Sequence, residues 1–203
     1  FFCLNYFFLQ DEKFFDCDQI ILTSASSKTA LSLAFLLSKY KSKDKKKIIA
    51  ITSEKNMQFV SETKFYDTVL SYDNAEENLK RSKSVIVDFA GNSDYLKKLS
   101  DHLGEELKHV SLIGLADWSS KTNFKSIPNS KFFFAPNHAE KRYREMGVKR
   151  TTFLADDLLK EFIMKIKNYI KLEYCNDPKE LHELYLKSLK GKIDPSKGYM
   201  VKN

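Results

Sequence analysis

Apolar residues cluster along the first two thirds of the chain in short, dense runs separated by stretches of helical period. The run 20–23 (Ile-Ile-Leu-Thr) is β-branched and reads as a strand. It leads through residues 24–28 into a helix predicted over 29–40. There Leu31, Ala34 and Phe35 share a face at i, i+3, i+4, and Leu33, Leu36 and Leu37 widen it until the helix reads as well buried. Further strands are predicted at 48–52, 68–72, 84–89, 109–115 and 131–135. A short helix falls at 56–63, and a longer one at 93–103 carries Leu96, Leu99 and Leu103 on one side.

Near-continuous apolar strands alternating with helices imply a parallel sheet covered on both faces. Right-handed crossovers then give an α/β fold with a doubly wound, mainly parallel, six-stranded sheet. Such sheets bind ligands beyond the carboxyl ends of their strands, so function is sought in the residues just after each strand. Beyond residue 135 the pattern changes. A charged helix over 138–146 ends at Gly147. A long helix over 152–174 carries Phe153, Leu158, Phe162, Ile166 and Ile170. A third helix, 178–190, is bracketed by Pro178 and Gly191, the usual start and stop residues. The tail 191–203 holds Pro195 and Gly198, with a short strand at 199–201. The expected division is an N-terminal remnant or connecting helix (1–18), the sheet domain (19–136) and a C-terminal helical extension with a return segment (137–203).

Composition narrows the functional classes. The chain has 203 residues, a formal net charge of +7, 42% hydrophobic and 30% charged residues, a globular balance. It opens at Phe1 rather than Met, and the expectation is a fragment or processed product of something longer. Arginine occurs only at positions 81, 142, 144 and 150, so lysine supplies most of the positive charge. Arginine is the usual bidentate reader of bases and phosphates, and a lysine excess reads as solvated surface, so no nucleic-acid role is expected. Cys3, Cys17 and Cys175 are scattered without metal-ligand spacing. They imply neither a disulfide framework nor a metal site, and suit a reducing, cytoplasmic setting. No apolar stretch approaches the ~20 residues that span a bilayer.

The loop after the first strand, SASSKTA over 24–30, carries the chemistry. Four hydroxyls (Ser24, Ser26, Ser27, Thr29) and the Lys28 ammonium stand at a helix N-terminus, where free amides and the helix dipole favour an anion. Phosphate binding is the functional reading, and simple N-capping by Ser or Thr is the alternative. Ser27-Lys28-Thr29 is also similar to the end of a P-loop, and Asp88 to Gly91 to a Walker-B carboxylate. The two glycines a P-loop needs are, however, Leu22 and Ser27 here.

Taken together, ILTSASSKTALSLAFLL, IIAITSEKN, FYDTVLSYD, VDFAGN, FFFAP and GKIDPSKGY resemble an uncharacterised family of the medium-chain dehydrogenase/reductase superfamily, close to quinone oxidoreductases. The resemblance runs from about Ile20 to the C-terminus. It implies a Rossmann-type NAD(P)-binding domain with the return segment of a two-domain reductase. It further implies an upstream GroES-like domain, a small carbonyl, enone or quinone substrate, and a possible homodimer. The superfamily's turn carries glycines where this chain has Ser24, Ser27, Lys28 and Ala30.

In that frame each strand end has an expected role. Thr52, Ser53, Lys55 and Asn56 meet the adenosine ribose and favour NADP, while Glu54 keeps NAD possible. Asn56 is alternatively a helix cap. Tyr72 flanks the adenine or merely packs. Gly91 allows close backbone approach, and Asn92 reaches a ribose or nicotinamide, or caps the next helix. Gly114 and Leu115 end the fifth strand, with Asp117 and Trp118 just after, and Ala135 and Pro136 end the sixth; in the resembling superfamily these two ends lie by the nicotinamide, and Trp118 either stacks on a ligand or covers an apolar rim. No catalytic residue follows from spacing; Tyr6, Tyr72, Asp117 and His138 are the candidate proton donors. The competing functions are a non-enzymatic nucleotide-binding module and a P-loop-like nucleotide hydrolase.

Overall fold

The computed structural model describes residues 3–41, 46–114, 127–189 and 191–201. The chain opens with helix α1 (Leu4–Asp11), then a tight turn in which Lys13, Phe14, Phe15 and Asp16 all take left-handed backbone (φ 49–54°). Such a run costs L-residues about 1–2 kcal/mol each. What offsets it is aromatic burial: Phe14 is buried, and Phe15 stacks on His109 at 4.2 Å and 5°.

The sheet domain follows in the alternation expected from the apolar runs. Its elements are β1 (Gln19–Leu22), α2 (Lys28–Lys39), β2 (Lys47–Thr52), α3 (Met57–Glu62), β3 (Thr68–Ser71), α4 (Ala75–Asn78), β4 (Ser84–Asp88), α5 (Ser93–Leu103), β5 (Leu107–Leu112) and β6 (Ser130–Phe132). The strands lie in the order β3-β2-β1-β4-β5-β6 with every pairing parallel. This is the doubly wound order of dinucleotide-binding sheets, and the chain reverses direction across the sheet between β1 and β4.

Alternation along the central strands explains why both faces are covered. Ile20 and Leu22 of β1, with Val85 and Val87 of β4, point to the face packed by α1 and α2. Ile21 and Ile86 point the other way, onto Leu96, Leu99 and Leu103 of α5. Strand register places Ile21 opposite both Ile49 and Ile86, so the buried rows line up across the sheet.

The C-terminal part departs from the reading of its sequence in two places. Residues 131–135 are not a strand to their end: β6 stops at Phe132, and α6 (Ala135–Met146) has already begun at Ala135 with Pro136 in its first turn. Proline has a helical φ and lacks only an amide that a first turn leaves unpaired, so it starts this helix. Nor is 152–174 one helix. After Gly147 (φ 81°), α7 (Val148–Ile166) packs Leu158, Phe162 and Ile166 onto the α1–α2 face and then ends. Lys171–Cys175 is strand β7, which crosses over through α8 (Pro178–Leu189) to pair in parallel with β8 (Lys197–Val201). Among the described residues no helix is long and apolar enough to cross a membrane.

Candidate functional site

The loop 24–27 turns sharply without a glycine. Ser24 takes φ 46°, the left-handed region usually left to glycine. Two tyrosines flanking β3 hold the turn: the Ser24 amide donates to the Tyr72 hydroxyl at 2.8 Å, and the Tyr66 hydroxyl donates to the Ala25 carbonyl at 2.9 Å. Burial pushes both phenols above the ordinary tyrosine range, so each stays protonated. The Ala25 amide donates to the Ile51 carbonyl, and the Ser27 hydroxyl accepts from the Ala30 amide as the N-cap of α2. Capping therefore accounts for Ser27 alone. The amides of Ser26, Lys28 and Thr29 donate to no described residue.

Around this loop lies a polar cleft of about 470 Å³. It brings together nine of the expected residues: Ser24, Ser26, Ser27, Lys28, Thr52, Ser53, Lys55, Asn56 and Tyr72. Ser26 is its hub, its Oγ accepting from Asn56 Nδ2 at 3.1 Å and Thr52 Oγ1 at 3.3 Å. Asn56 therefore spends its side chain on the loop rather than on capping α3. Lys28 and Lys55 line this cleft with no described carboxylate among the lining, and Glu54 is exposed outside it. The far wall is the return segment, through Gly191, Ile193 and Pro195, which sequence reasoning did not place here. A link between a helix N-terminus and a tail more than 160 residues later leaves no local signal.

That wall also engages Lys28. Its Nζ donates to the carbonyls of Pro195 (2.7 Å) and Lys197 (2.8 Å). Lost hydration pulls the Lys28 pKa below the ordinary lysine value, with Asp194 opposing. The ammonium thus clamps the tail, a role the sequence reading did not assign to it.

On the other side of Lys28 lies a second, mainly apolar cleft of about 480 Å³, over the ends of β4, β5 and β6. Thr29 and Ala135 line it with Asn5, Phe89, Ile113 and Phe133. Gly91, Asn92 and Gly114 line neither cleft. Gly91 takes φ 71° and gives its amide to Asp88, while the Asn92 side chain caps α5 by accepting from the Tyr95 amide at 3.0 Å. Gly114 is fixed by packing: a Cβ there would stand 2.3 Å from the Phe89 carbonyl oxygen. Leu115, Asp117 and Trp118 lie outside the described residues.

Asp88, the Walker-B candidate, is 1% exposed, and its carboxylate accepts from the Thr23 hydroxyl and the amides of Ala90 and Gly91. Burial raises its pKa against these bonds. Its lone pairs organise the β4 turn, which leaves little for a magnesium ion. Of the proton-donor candidates, Tyr6 is buried in the core, and His138 stacks on Phe133 at 4.3 Å.

A family model described as "Protein of unknown function (DUF2855)" matches residues 1–194. The chain belongs to this family. No curated protein matches it in sequence. Solved structures share the fold of this DUF2855 chain. CurA from Vibrio vulnificus, in complex with NADPH, is 16% identical, with a TM-score of 0.62 over 100% of this chain and 61% of its own. The yhdH oxidoreductase from Salmonella enterica, in complex with NADP, is 16% identical, with a TM-score of 0.63 over 100% of this chain and 60% of its own. The CurF ER cyclopropanase from the curacin A biosynthetic pathway is 16% identical, with a TM-score of 0.55 over 91% and 55%. The DUF2855 chain thus spans less than two thirds of the length of these structures.

Proposed function

We propose that this chain is the NADP-binding portion of a quinone-reductase-like oxidoreductase of the medium-chain dehydrogenase/reductase type. The observation that carries this is the pair of clefts meeting at Lys28, one polar and one apolar, on either side of the switch point between β1 and β4. The fold it shares with CurA and yhdH, whose structures contain NADPH and NADP, supports the same reading.

The residues present fit a dinucleotide. The unpaired amides of Ser26, Lys28 and Thr29 suit a pyrophosphate. Ser53, Lys55 and Asn56, with no described carboxylate in their cleft, suit a ribose 2′-phosphate better than a bare 2′-hydroxyl. Tyr72 presents a ring beside them for the adenine. Bound there, the cofactor supplies a hydride to a small carbonyl, enone or quinone. The chain's part is positioning and exclusion of water, since Lys28 is the one titratable group among the described residues lining the apolar cleft. Tail closure by Lys28 would seal the polar cleft from one side.

The same reading assigns the outer contacts. Segment 1–18 acts as the helix connecting to an upstream GroES-like domain, residues 19–136 bind the cofactor, and 137–203 return to that upstream domain. The β7–β8 sheet, with Leu172, Tyr174 and Met200 exposed on one face, offers the return segment an apolar surface for it. The free, buried state of all three cysteines accords with a cytoplasmic location.

Calorimetric titration tests the assignment. NADPH should bind more tightly than NADH, and magnesium ATP should not be turned over. Equal affinities would remove the NADP preference, and no binding of NADPH at millimolar concentration would sink the proposal.

A further inference from the structure

Asn5 is 5% exposed, and neither its Nδ2 nor its Oδ1 has a hydrogen-bond partner among the described residues. It lines the apolar cleft, among Leu33, Phe89, Ile113 and Phe133. A buried primary amide with both ends unmet is uncommon in folded proteins and asks for an explanation. Of the neighbouring polar groups, Lys28 holds the tail carbonyls, the Ser32 hydroxyl donates to the Thr29 carbonyl at 2.7 Å, and Thr29 itself is exposed to solvent.

An amide side chain offers a donor and an acceptor side by side. A carboxylate would satisfy the donor and repel the Oδ1; a lone carbonyl would leave the Oδ1 unmet, and a single hydroxyl oxygen cannot align with both ends of the amide at once. A second primary carboxamide satisfies both ends at once. The cleft walls around Asn5 are apolar and partly aromatic, which suits a flat ring carrying that carboxamide.

We infer that Asn5 recognises the carboxamide of the nicotinamide ring and is the polar anchor of the apolar cleft. This rests on the reading of the two clefts as one dinucleotide site. Asn5 is then a specificity-determining residue supplied by α1, a helix outside the sheet.

The test uses calorimetry with NADPH, with 2′,5′-ADP, which lacks the nicotinamide half, and with NADP against its 3-acetylpyridine analogue, in which a methyl replaces the amide nitrogen. Asn5→Leu should weaken NADPH by about tenfold, the loss of one to two neutral hydrogen bonds, and leave 2′,5′-ADP unchanged. The ligand-free variant should melt higher than the parent, because an unsatisfied polar group has left the interior. In the unaltered protein the acetylpyridine analogue should bind several-fold more weakly than NADP, a measurement that needs no variant to fold. Equal NADPH affinity in Asn5→Leu, or equal affinity of NADP and its analogue, overturns the inference while the dinucleotide reading stands. Failure of both NADPH and 2′,5′-ADP to bind the unaltered protein overturns that reading and the inference with it.

Discussion

Lowering the pH from neutral should destabilise this protein chiefly through one imidazole. His109 of β5 is 3% exposed, its ring lies flat on Phe15, and its Nε2 has no partner among the described residues. Burial, with the nearby Lys131 cation, pushes its pKa from 6.5 down to about 4. The folded state therefore binds fewer protons than the unfolded chain across that interval, and stability rises with pH within it. The contribution is full above about pH 6.5 and is lost as the pH falls toward 4. At about 1.4 kcal/mol for each pH unit, the loss reaches about 3 kcal/mol. Domains of this kind are stable by only about 5–15 kcal/mol, so a loss of that size is easily measured. Urea unfolding followed by circular dichroism, from neutral pH down to about pH 4.5, gives the slope. His109→Phe keeps an aromatic ring on Phe15 and has nothing to protonate. The variant should lose most of the slope between pH 6.5 and 4, keeping a remainder from His138, whose pKa is also lowered by burial. If His109→Phe unfolds with the parent's pH dependence across that interval, the reasoning about this buried imidazole is refuted.

Two further substitutions probe the tail clamp and the packed turn after β5. Lys28→Met removes both bonds to the Pro195 and Lys197 carbonyls; because the ammonium is exposed, global stability should fall by only about 1 kcal/mol or less, yet the tail should be cut faster by protease and NADPH should bind more weakly. An unchanged rate of tail cleavage would rule out the clamp. Gly114→Ala forces a methyl to within 2.3 Å of the rigid Phe89 carbonyl, and a loss of roughly 2–3 kcal/mol is expected in thermal or urea unfolding; a neutral result would show that this turn has slack.

The sheet was legible because its signals are local. Each central strand is a dense apolar run, and the helix expected at 29–40 is found one residue earlier, as α2. The polar cleft was legible for the same reason: its residues directly follow β1, β2 and β3, and the doubly wound order brings those ends together. What stayed hidden depends on distant partners. Leu172 and Tyr174 continue the helical run before them, and only pairing with Gly198 and Met200, far along the chain, makes them a strand. Asn5 lies in an aromatic segment with no motif around it, and what singles it out, the lack of a bonding partner among the described residues, appears only after folding. At Ser27 and Asn92 the alternative of helix capping, also open from the sequence, is the bond the structure forms, although Ser27 still lines the polar cleft.

The glycine-free turn shows how one loop geometry is reached by different means. A glycine in the left-handed region costs little in the fold and leaves the turn free to move in the unfolded chain. Here Ser24 occupies that region, and the strain of a side chain there is opposed by contacts from outside the loop: Tyr72 takes the Ser24 amide, Tyr66 holds the Ala25 carbonyl, and Thr52 and Asn56 fix Ser26. Both tyrosines flank β3, so the shape of the loop is dictated across the sheet rather than by its own backbone freedom. Such scaffolding leaves the amides of Ser26, Lys28 and Thr29 without an acceptor among the described residues, and free amides at a helix N-terminus suit an anion. A serine-lysine loop of this kind is therefore compatible with dinucleotide binding, provided its two tyrosines are kept, and the absence of glycine is not by itself a reason to set that function aside.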